Sequence, residues 1–416
     1  MIITKNNNRT KYNLDLLFLI ILISIPFTLF NFNHNGFLGL LPLIREEFTL
    51  NRTQIGYYST LFFISSAVVA VFAGTIVDKI GSQKSMLLGV GSMSLMMVFY
   101  GLSNSYNMLL AFAFWAGLSS CLITPSINRE VRAITMPENR ASFMGLIQSG
   151  FGFGGIAGAS LLPIIGETIG WRYTIQLSAV FTMIIAYVVY KLHCKHVNNY
   201  YQVVNRSGIY IKHYGKNKFI KDNFLPLLAN KSLMKLCYIG LIFGAATSVI
   251  LTHLVVYLSG DLAISYRNAG IGFGIFQLGG IVGRLTWGLL SDKLLGCNRR
   301  KTLLFVGLAA GVIFLLFGLL LYSSRSNLTT VYIFLFTLGL IAYGWNGVHL
   351  ISIGELAGDE RIGIATGLSV IFTRTGMFIA PPLFGFIADY RGNYQYSWLI
   401  FGVFIILLSI CIMSRE

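Results

Sequence analysis

Twelve stretches of this chain stay apolar for roughly the 20 residues that a helix needs to cross a bilayer, and no other feature narrows its possible folds so far. They fall at residues 15–43, 53–77, 85–103, 108–134, 141–164, 172–191, 234–258, 268–290, 302–323, 330–355, 362–388 and 396–413. Inside hydrocarbon every backbone N–H and C=O must find its partner within the protein, which leaves helices or a closed barrel. Runs of this length are too long for barrel strands. Hydrophobic residues make up 55% of the 416 and charged ones 11%, with a mean hydropathy of +0.71, far from the balance of a soluble domain. The expectation is an all-α membrane protein with twelve transmembrane helices, numbered here as spans 1 to 12 in chain order. Met1 to Leu14 is polar and the first apolar run exceeds the length of a leader, so no cleavable signal is expected.

A net charge of +16 raises the question of nucleic acid, and its distribution answers it. With the N-terminus set in the cytoplasm, the segments on that side hold 23 Lys and Arg, and those on the other side hold six: Arg45, Arg52, Arg172, Arg267, Arg325 and Arg391. The positive-inside rule then puts both termini in the cytoplasm of a multi-pass cell-membrane protein. The basic excess reads as topology and attraction to anionic lipid, with no nucleic-acid partner. Residues 191–235 read as a cytoplasmic linker between two six-helix bundles, 1–190 and 236–416, with Ser207 to Tyr214 a candidate short strand or helix. Cys121, Cys194, Cys237, Cys297 and Cys411 lack metal-ligand spacing and are expected as free thiols. No cofactor or metal is expected, and a monomer is the expected assembly.

The connection between spans 2 and 3 reads Gly74-Thr-Ile-Val-Asp78-Lys79-Ile-Gly81-Ser-Gln-Lys84. Glycines, an acid and cations in so short a turn make a charged hairpin. Gly74 is expected to let helices approach closely, and Asp78 to accept from helix N-terminal amides or a basic partner. The set recurs. Moving 214 residues on takes Gly56 to Gly270, Gly74 to Gly288, Asp78 to Asp292 and Lys79 to Lys293, and an offset of 222 takes Gly145 to Gly367 and Gly154 to Gly376. The chain is therefore two homologous halves. The pattern Gly-x-x-x-Asp-Lys-x-Gly-x-x-Lys resembles the loop between helices 2 and 3 of the major facilitator superfamily of transporters. That resemblance implies two parallel six-helix bundles, pseudo-symmetric about the membrane normal. It also implies that Gly74, Asp78, Lys79, Gly81, Lys84, Gly288, Asp292 and Lys293 form a gating motif.

Charge within the membrane points to cargo. Of 31 Lys and Arg, Arg284 and Arg374 lie well inside spans, where a guanidinium costs at least about 2.5 kcal/mol without a partner or wet cavity. Their mates in the first half are Ala70 and Gly152. A scaffold role predicts symmetric residues; the asymmetry favours an anionic small-molecule substrate. The structural alternatives are a clamp from Arg284 to Asp292 or a helix end, and a pair between Arg374 and Glu355 or helix-end carbonyls. The stretch from Thr252 to Lys293, containing Gly283-Arg284-Leu-Thr-Trp-Gly, is similar to the monocarboxylate and oxalate/formate branch, which implies Arg284 as the residue holding a substrate carboxylate.

Other polar residues complete the candidate substrate site: Asn31, His34 and Asn35 in span 1, Arg129 in span 4, His253 in span 7 and His349 in span 10. The superfamily resemblance places spans 1, 4, 7 and 10 around a central cavity. A histidine there could carry a coupling proton, making the protein a symporter, and a hydrogen-bonded structural role is the alternative for each. Arg129 reads equally as a cavity cation or a positive-inside anchor. No carboxylate lies mid-membrane, which disfavours drug efflux driven through a buried acid. No Gly-x-x-x-x-Gly-Lys-Ser/Thr loop is present, and no catalytic set is found, so neither a primary pump nor an enzyme is expected. The reading is secondary active transport of a small organic anion, with an exporter of a neutral or amphipathic compound and a non-transporting sensor as rivals. Cysteine labelling tests the topology: Asn327→Cys and Asn393→Cys should react from outside, and Gly208→Cys only after permeabilisation.

Overall fold

A computed structural model of the chain describes residues 3–135, 140–206, 227–293, 298–323, 327–357 and 362–414. The described residues are helical apart from short turns. Span 1 is Ile3–Gly39, followed by a short helix, Leu41–Glu47. Spans 2 to 6 are Arg52–Ile80, Ser82–Gly101, Tyr106–Ile134, Arg140–Ile169 and Trp171–Arg206. Spans 7 to 9 are Lys231–Gly260, Tyr266–Lys293 and Arg299–Ser323. Span 10 is two helices, Leu328–Ala342 and Asn346–Ala357, and spans 11 and 12 are Ile362–Arg391 and Gln395–Ser414.

Ten of these helices are long and apolar enough to cross a membrane, and the Arg52–Ile80 helix, bent by 67°, makes eleven. The twelfth expected span, Ser82–Gly101, stands outside that set because four serines, three glycines and Lys84 dilute its apolar residues. It still packs against spans 4 and 6 through Met86, Val90, Met93 and Met97, all buried. Two boundaries differ from expectation. Span 6 runs on as helix to Arg206, well into the proposed linker, and Lys231 already belongs to span 7. Ser207 to Tyr214 and Cys297 lie outside the described residues; Cys121, Cys194, Cys237 and Cys411 are free thiols.

The internal repeat is legible in the packing. A Cβ added at Gly117 of span 4 would collide with the Phe62 carbonyl of span 2, and one at Gly339 of span 10 with the Phe276 carbonyl of span 8. The two contacts are related by the same offsets of 214 and 222 that relate the sequence motifs. Between the halves, Gly56 of span 2 lies on Pro381 and Pro382 of span 11, and Gly270 of span 8 lies on Ala159 and Pro163 of span 5. Without a hydrophobic drive between helices in lipid, such backbone-to-backbone crossings supply the packing. Gly74 and Gly288 do not: a Cβ at either would meet nothing within 4 Å. The close approach expected at Gly74 is absent from this conformation, where both glycines face open space at the hairpin end. Gly81, with φ +92°, holds the turn itself in a backbone region that other residues avoid. Gly117→Val and Gly339→Val are expected to destabilise the protein by about 1–3 kcal/mol through overpacking, with Gly74→Val unchanged, as read by thermal unfolding in detergent.

Candidate functional site

The two halves meet at the end opposite the charged hairpins. Arg52 Nη2 bonds Asp261 Oδ1 at 3.0 Å, and Asp389 takes the Arg52 and Thr53 N–H groups at 2.9 and 2.8 Å. Two turns deeper, Ser59 and Thr252 share a hydrogen bond of 2.6 Å, and Thr60 donates to the Phe378 carbonyl at 2.7 Å. Deeper still, Gln277 Nε2 of span 8 donates to Asn35 Oδ1 of span 1 at 2.7 Å, with both side chains buried. Among the described residues, hydrogen bonds between the halves lie in this zone, and at the hairpin end the ion pairs stay within each half.

Arg284 lies two turns of span 8 beyond Gln277 toward the hairpins. Its guanidinium carbon sits over the Tyr343 ring at 5.0 Å and the Phe151 ring at 5.4 Å. Tyr343 belongs to the break in span 10, and Phe151 comes from span 5 of the other half. A guanidinium over ring faces is a favourable cation–π arrangement. Arg284 Nε is buried with no hydrogen-bond partner. The clamp weighed from sequence is occupied elsewhere: Arg299 bonds Asp292, and reaches Glu355 at 3.2 Å. Glu355 was also the alternative partner for Arg374, which instead lies half-buried beside Cys121 of span 4. Among the described residues neither Arg284 nor Arg374 belongs to an ion pair.

The remaining candidates separate by position. His34 is buried, stacked on Phe62 at 4.4 Å between ring centroids, with Nδ1 unpartnered. Asn31 is buried and donates to the Phe27 carbonyl of its own helix at 2.9 Å. Asn35 spends its side-chain oxygen on Gln277. His253 has both ring nitrogens engaged, Nδ1 with the Tyr394 hydroxyl at 3.0 Å and Nε2 with the Pro381 carbonyl at 2.9 Å. Those two bonds tie span 7 to the double proline of span 11 and to Tyr394 ahead of span 12. His349 is buried against Trp345 and bonds the Leu236 carbonyl at 2.9 Å. Arg129 sits at the hairpin, where Nη1 holds Asp78 at 2.7 Å and the Val77 carbonyl at 3.1 Å. Lys79, Lys84 and Lys293 are exposed there. Phe151, Gln277 and Tyr343 were not singled out from sequence. The one available signal was Tyr343-Gly344-Trp345, which interrupts an apolar run as discontinuous helices do.

Residues 18–351 match the family model of the Major Facilitator Superfamily, and residues 236–416 match it in a second, overlapping stretch. The chain belongs to the major facilitator superfamily. It is similar to a hexuronate transporter of Bacillus subtilis (strain 168), 22% identical over 382 residues that cover 89% of this chain and 88% of that protein. It is similar also to a membrane sensor protein of Salmonella typhimurium, 24% identical over 375 residues, covering 86% of this chain and 82% of that one. Its fold matches a solved bacterial homologue of the human lysosomal transporter Spinster, in an inward-facing and unoccupied conformation. The TM-score is 0.79 at 15% identity, over 96% of each chain. Each hairpin carries an acid held by an arginine, Asp78 by Arg129 and Asp292 by Arg299. The Arg129–Asp78 pair is exposed and contributes little stability, whereas Arg299 is 15% exposed and is shared between Asp292 and Glu355. Asp78→Asn should therefore leave the melting temperature nearly unchanged while lowering transport several-fold, Asp292→Asn should lower transport likewise, and wild-type transport in both would remove the gating role.

Proposed function

We propose that this member of the superfamily is a secondary active transporter of a small organic anion, a carboxylate, and that Arg284 is its principal anion-binding residue. The observation that carries the reading is a half-buried guanidinium set between Phe151 and Tyr343, its Nε unpaired, in a chain whose nearby acids are already bound to Arg299. A cation kept in a membrane span without an acidic partner inside the protein is explained by an anion that arrives from outside. The hexuronate transporter among its relatives, named for an anion, supports the same class.

Alternating access follows from where the halves touch. With the hairpin end cytoplasmic, as the positive charge requires, this conformation is shut outside and open inside. Gly74 and Gly288 then face empty space because the seam at that end has parted. Arg374, beside span 4, is the place for a second anionic group. His34, with an unpartnered nitrogen under Phe62, is the histidine best placed to carry a coupling proton; His253 is committed to span 11. Asn31 and His349 line the same helices as secondary contacts.

A sensor is the second reading, favoured by the Salmonella typhimurium relative; it would bind the anion without accumulating it in proteoliposomes. The deciding experiment uses Arg284. Loss of a bidentate arginine–carboxylate pair in a partly dehydrated cavity costs on the order of 2–5 kcal/mol, and lysine does not reproduce the planar fork. Arg284→Ala should abolish measurable uptake, and Arg284→Lys should leave weak uptake at a much raised half-saturation concentration. Ligand binding to purified, monodisperse Arg284→Ala protein checks this, and undiminished affinity for the transported anion overturns the assignment.

A further inference from the structure

The hydrogen bonds that shut the mouth opposite the hairpins come in two sets related by the internal repeat. Asp389, near the end of span 11, accepts from the backbone N–H of Arg52 at 2.9 Å, from that of Thr53 at 2.8 Å and from the Thr53 hydroxyl at 2.6 Å. Arg52 and Thr53 open span 2, so these are N–H groups that the helix itself cannot satisfy, at the end where its dipole favours negative charge. An offset of 222 carries Asp389 back to Glu167 near the end of span 5, and one of 214 carries Thr53 forward to Arg267 at the start of span 8. Glu167 Oε1 accepts from the Arg267 N–H at 2.7 Å. Each half thus sends a carboxylate onto a helix N-terminus of the other half.

A second pair of acids, related by 214 residues, does the complementary work within each half. Glu47 holds the start of span 6 through Trp171 Nε1 at 2.5 Å and Arg172 Nη2 at 2.6 Å. Asp261 takes the Tyr394 N–H at the head of span 12 at 2.7 Å. Arg52 bridges the two systems on one side, with Nη2 on Asp261 at 3.0 Å and Nη1 at 4.0 Å from Asp389. The opposite side has no equal. Tyr266, the mate of Arg52, meets Glu46 through its hydroxyl alone, and Glu167 is exposed with one backbone bond.

We infer that Asp389 and Glu167 are a paired latch of cross-bundle helix caps, that opening this mouth consists of lifting both carboxylates off their partner helices, and that the mouth parts first at Glu167. The order follows from the count of bonds. Asp389 is held by three donors and a nearby guanidinium, Glu167 by one donor in contact with water, and charge-assisted bonds of this kind lose strength when solvent competes. The span 2–11 seam then acts as the hinge, and the span 5–8 seam, which also carries the Asn35–Gln277 bond, as the side that swings. The inference concerns the mouth and holds whatever the cargo is.

Pulsed spin-label distances across each seam test it, on purified, monodisperse full-length protein whose five native cysteines are replaced by serine. One label pair is Thr168→Cys with Asn268→Cys, on the Glu167 side; the other is Tyr57→Cys with Phe386→Cys, on the Asp389 side. Neutralising the weaker cap with Glu167→Gln should raise the long-distance population of the first pair about two- to fivefold and leave the second pair as in the parent. Asp389→Asn, which keeps an acceptor oxygen but loses the charge, should raise the long-distance population of both pairs roughly tenfold. Parental distances at the first pair in Glu167→Gln overturn the latch. An equal change at both pairs in that variant, or a change confined to the second, overturns the order of parting. Where Asp389→Asn does not yield folded protein, the Glu167→Gln pair of measurements decides alone.

Discussion

In hydrocarbon there is no water to complete a hydrogen bond, and this one constraint governs the molecule from backbone to binding site. It makes every described span helical, because only a helix satisfies its own main chain. It removes the hydrophobic drive between helices, so their crossings rely on glycines set against carbonyls, as at Gly117 on Phe62 and Gly339 on Phe276. It also forces buried polar side chains into pairs. Asn33 donates to Thr182, His253 is held at both nitrogens, and Trp345 Nε1 finds Thr247. The pairing is not complete, and Arg284 Nε shares its lack of a partner with His34 Nδ1 and Gln277 Oε1. What sets Arg284 apart is that its unpaired atom belongs to a cation inside a span with no carboxylate on it among the described residues.

The same logic shows why most of the fold was legible in the sequence and much of the site was not. Span number and the two-fold repeat are written in long apolar runs and in glycines at fixed offsets, features that survive without knowledge of neighbours. The hairpin acids were legible too, since a short turn brings its partners with it; Asp78 does meet a cation, Arg129. Arg129 itself was open between two roles, because a residue in the last two turns of span 4 gives no hint of which hairpin it will reach. Asn35 and His253 read as polar groups on cavity helices, and the structure gives them to Gln277 and to Pro381 with Tyr394. Sequence shows that a buried amide or imidazole needs a partner but not whether protein or cargo supplies it. Phe151 and Tyr343 were invisible for the converse reason, since aromatic residues are ordinary in a span and become notable only over a guanidinium.

The surroundings of Arg284 are drawn from both halves. Arg284 belongs to span 8, one of its aromatic neighbours to span 10 in the same half, and the other, Phe151, to span 5 in the opposite half. Under the proposed function, a movement of one bundle on the other would change the company that the guanidinium keeps. The proposed site would then differ in affinity between two states without any of its own side chains changing rotamer, which is the requirement for a bound solute to bias the equilibrium between them.

Gly74 and Gly288, with nothing in the 4 Å above either, have a consequence for energetics rather than for architecture. A glycine that touches nothing contributes nothing to the conformation in which it is seen, so selection on this state alone gives no reason to keep it small. In the proposed alternating-access cycle, that room is taken up when another helix comes to rest there. A methyl group added at either position would then leave the observed state at its present free energy and raise that of its counterpart. Under that proposal the two bare patches mark, within one static arrangement, where the other half of the cycle would close.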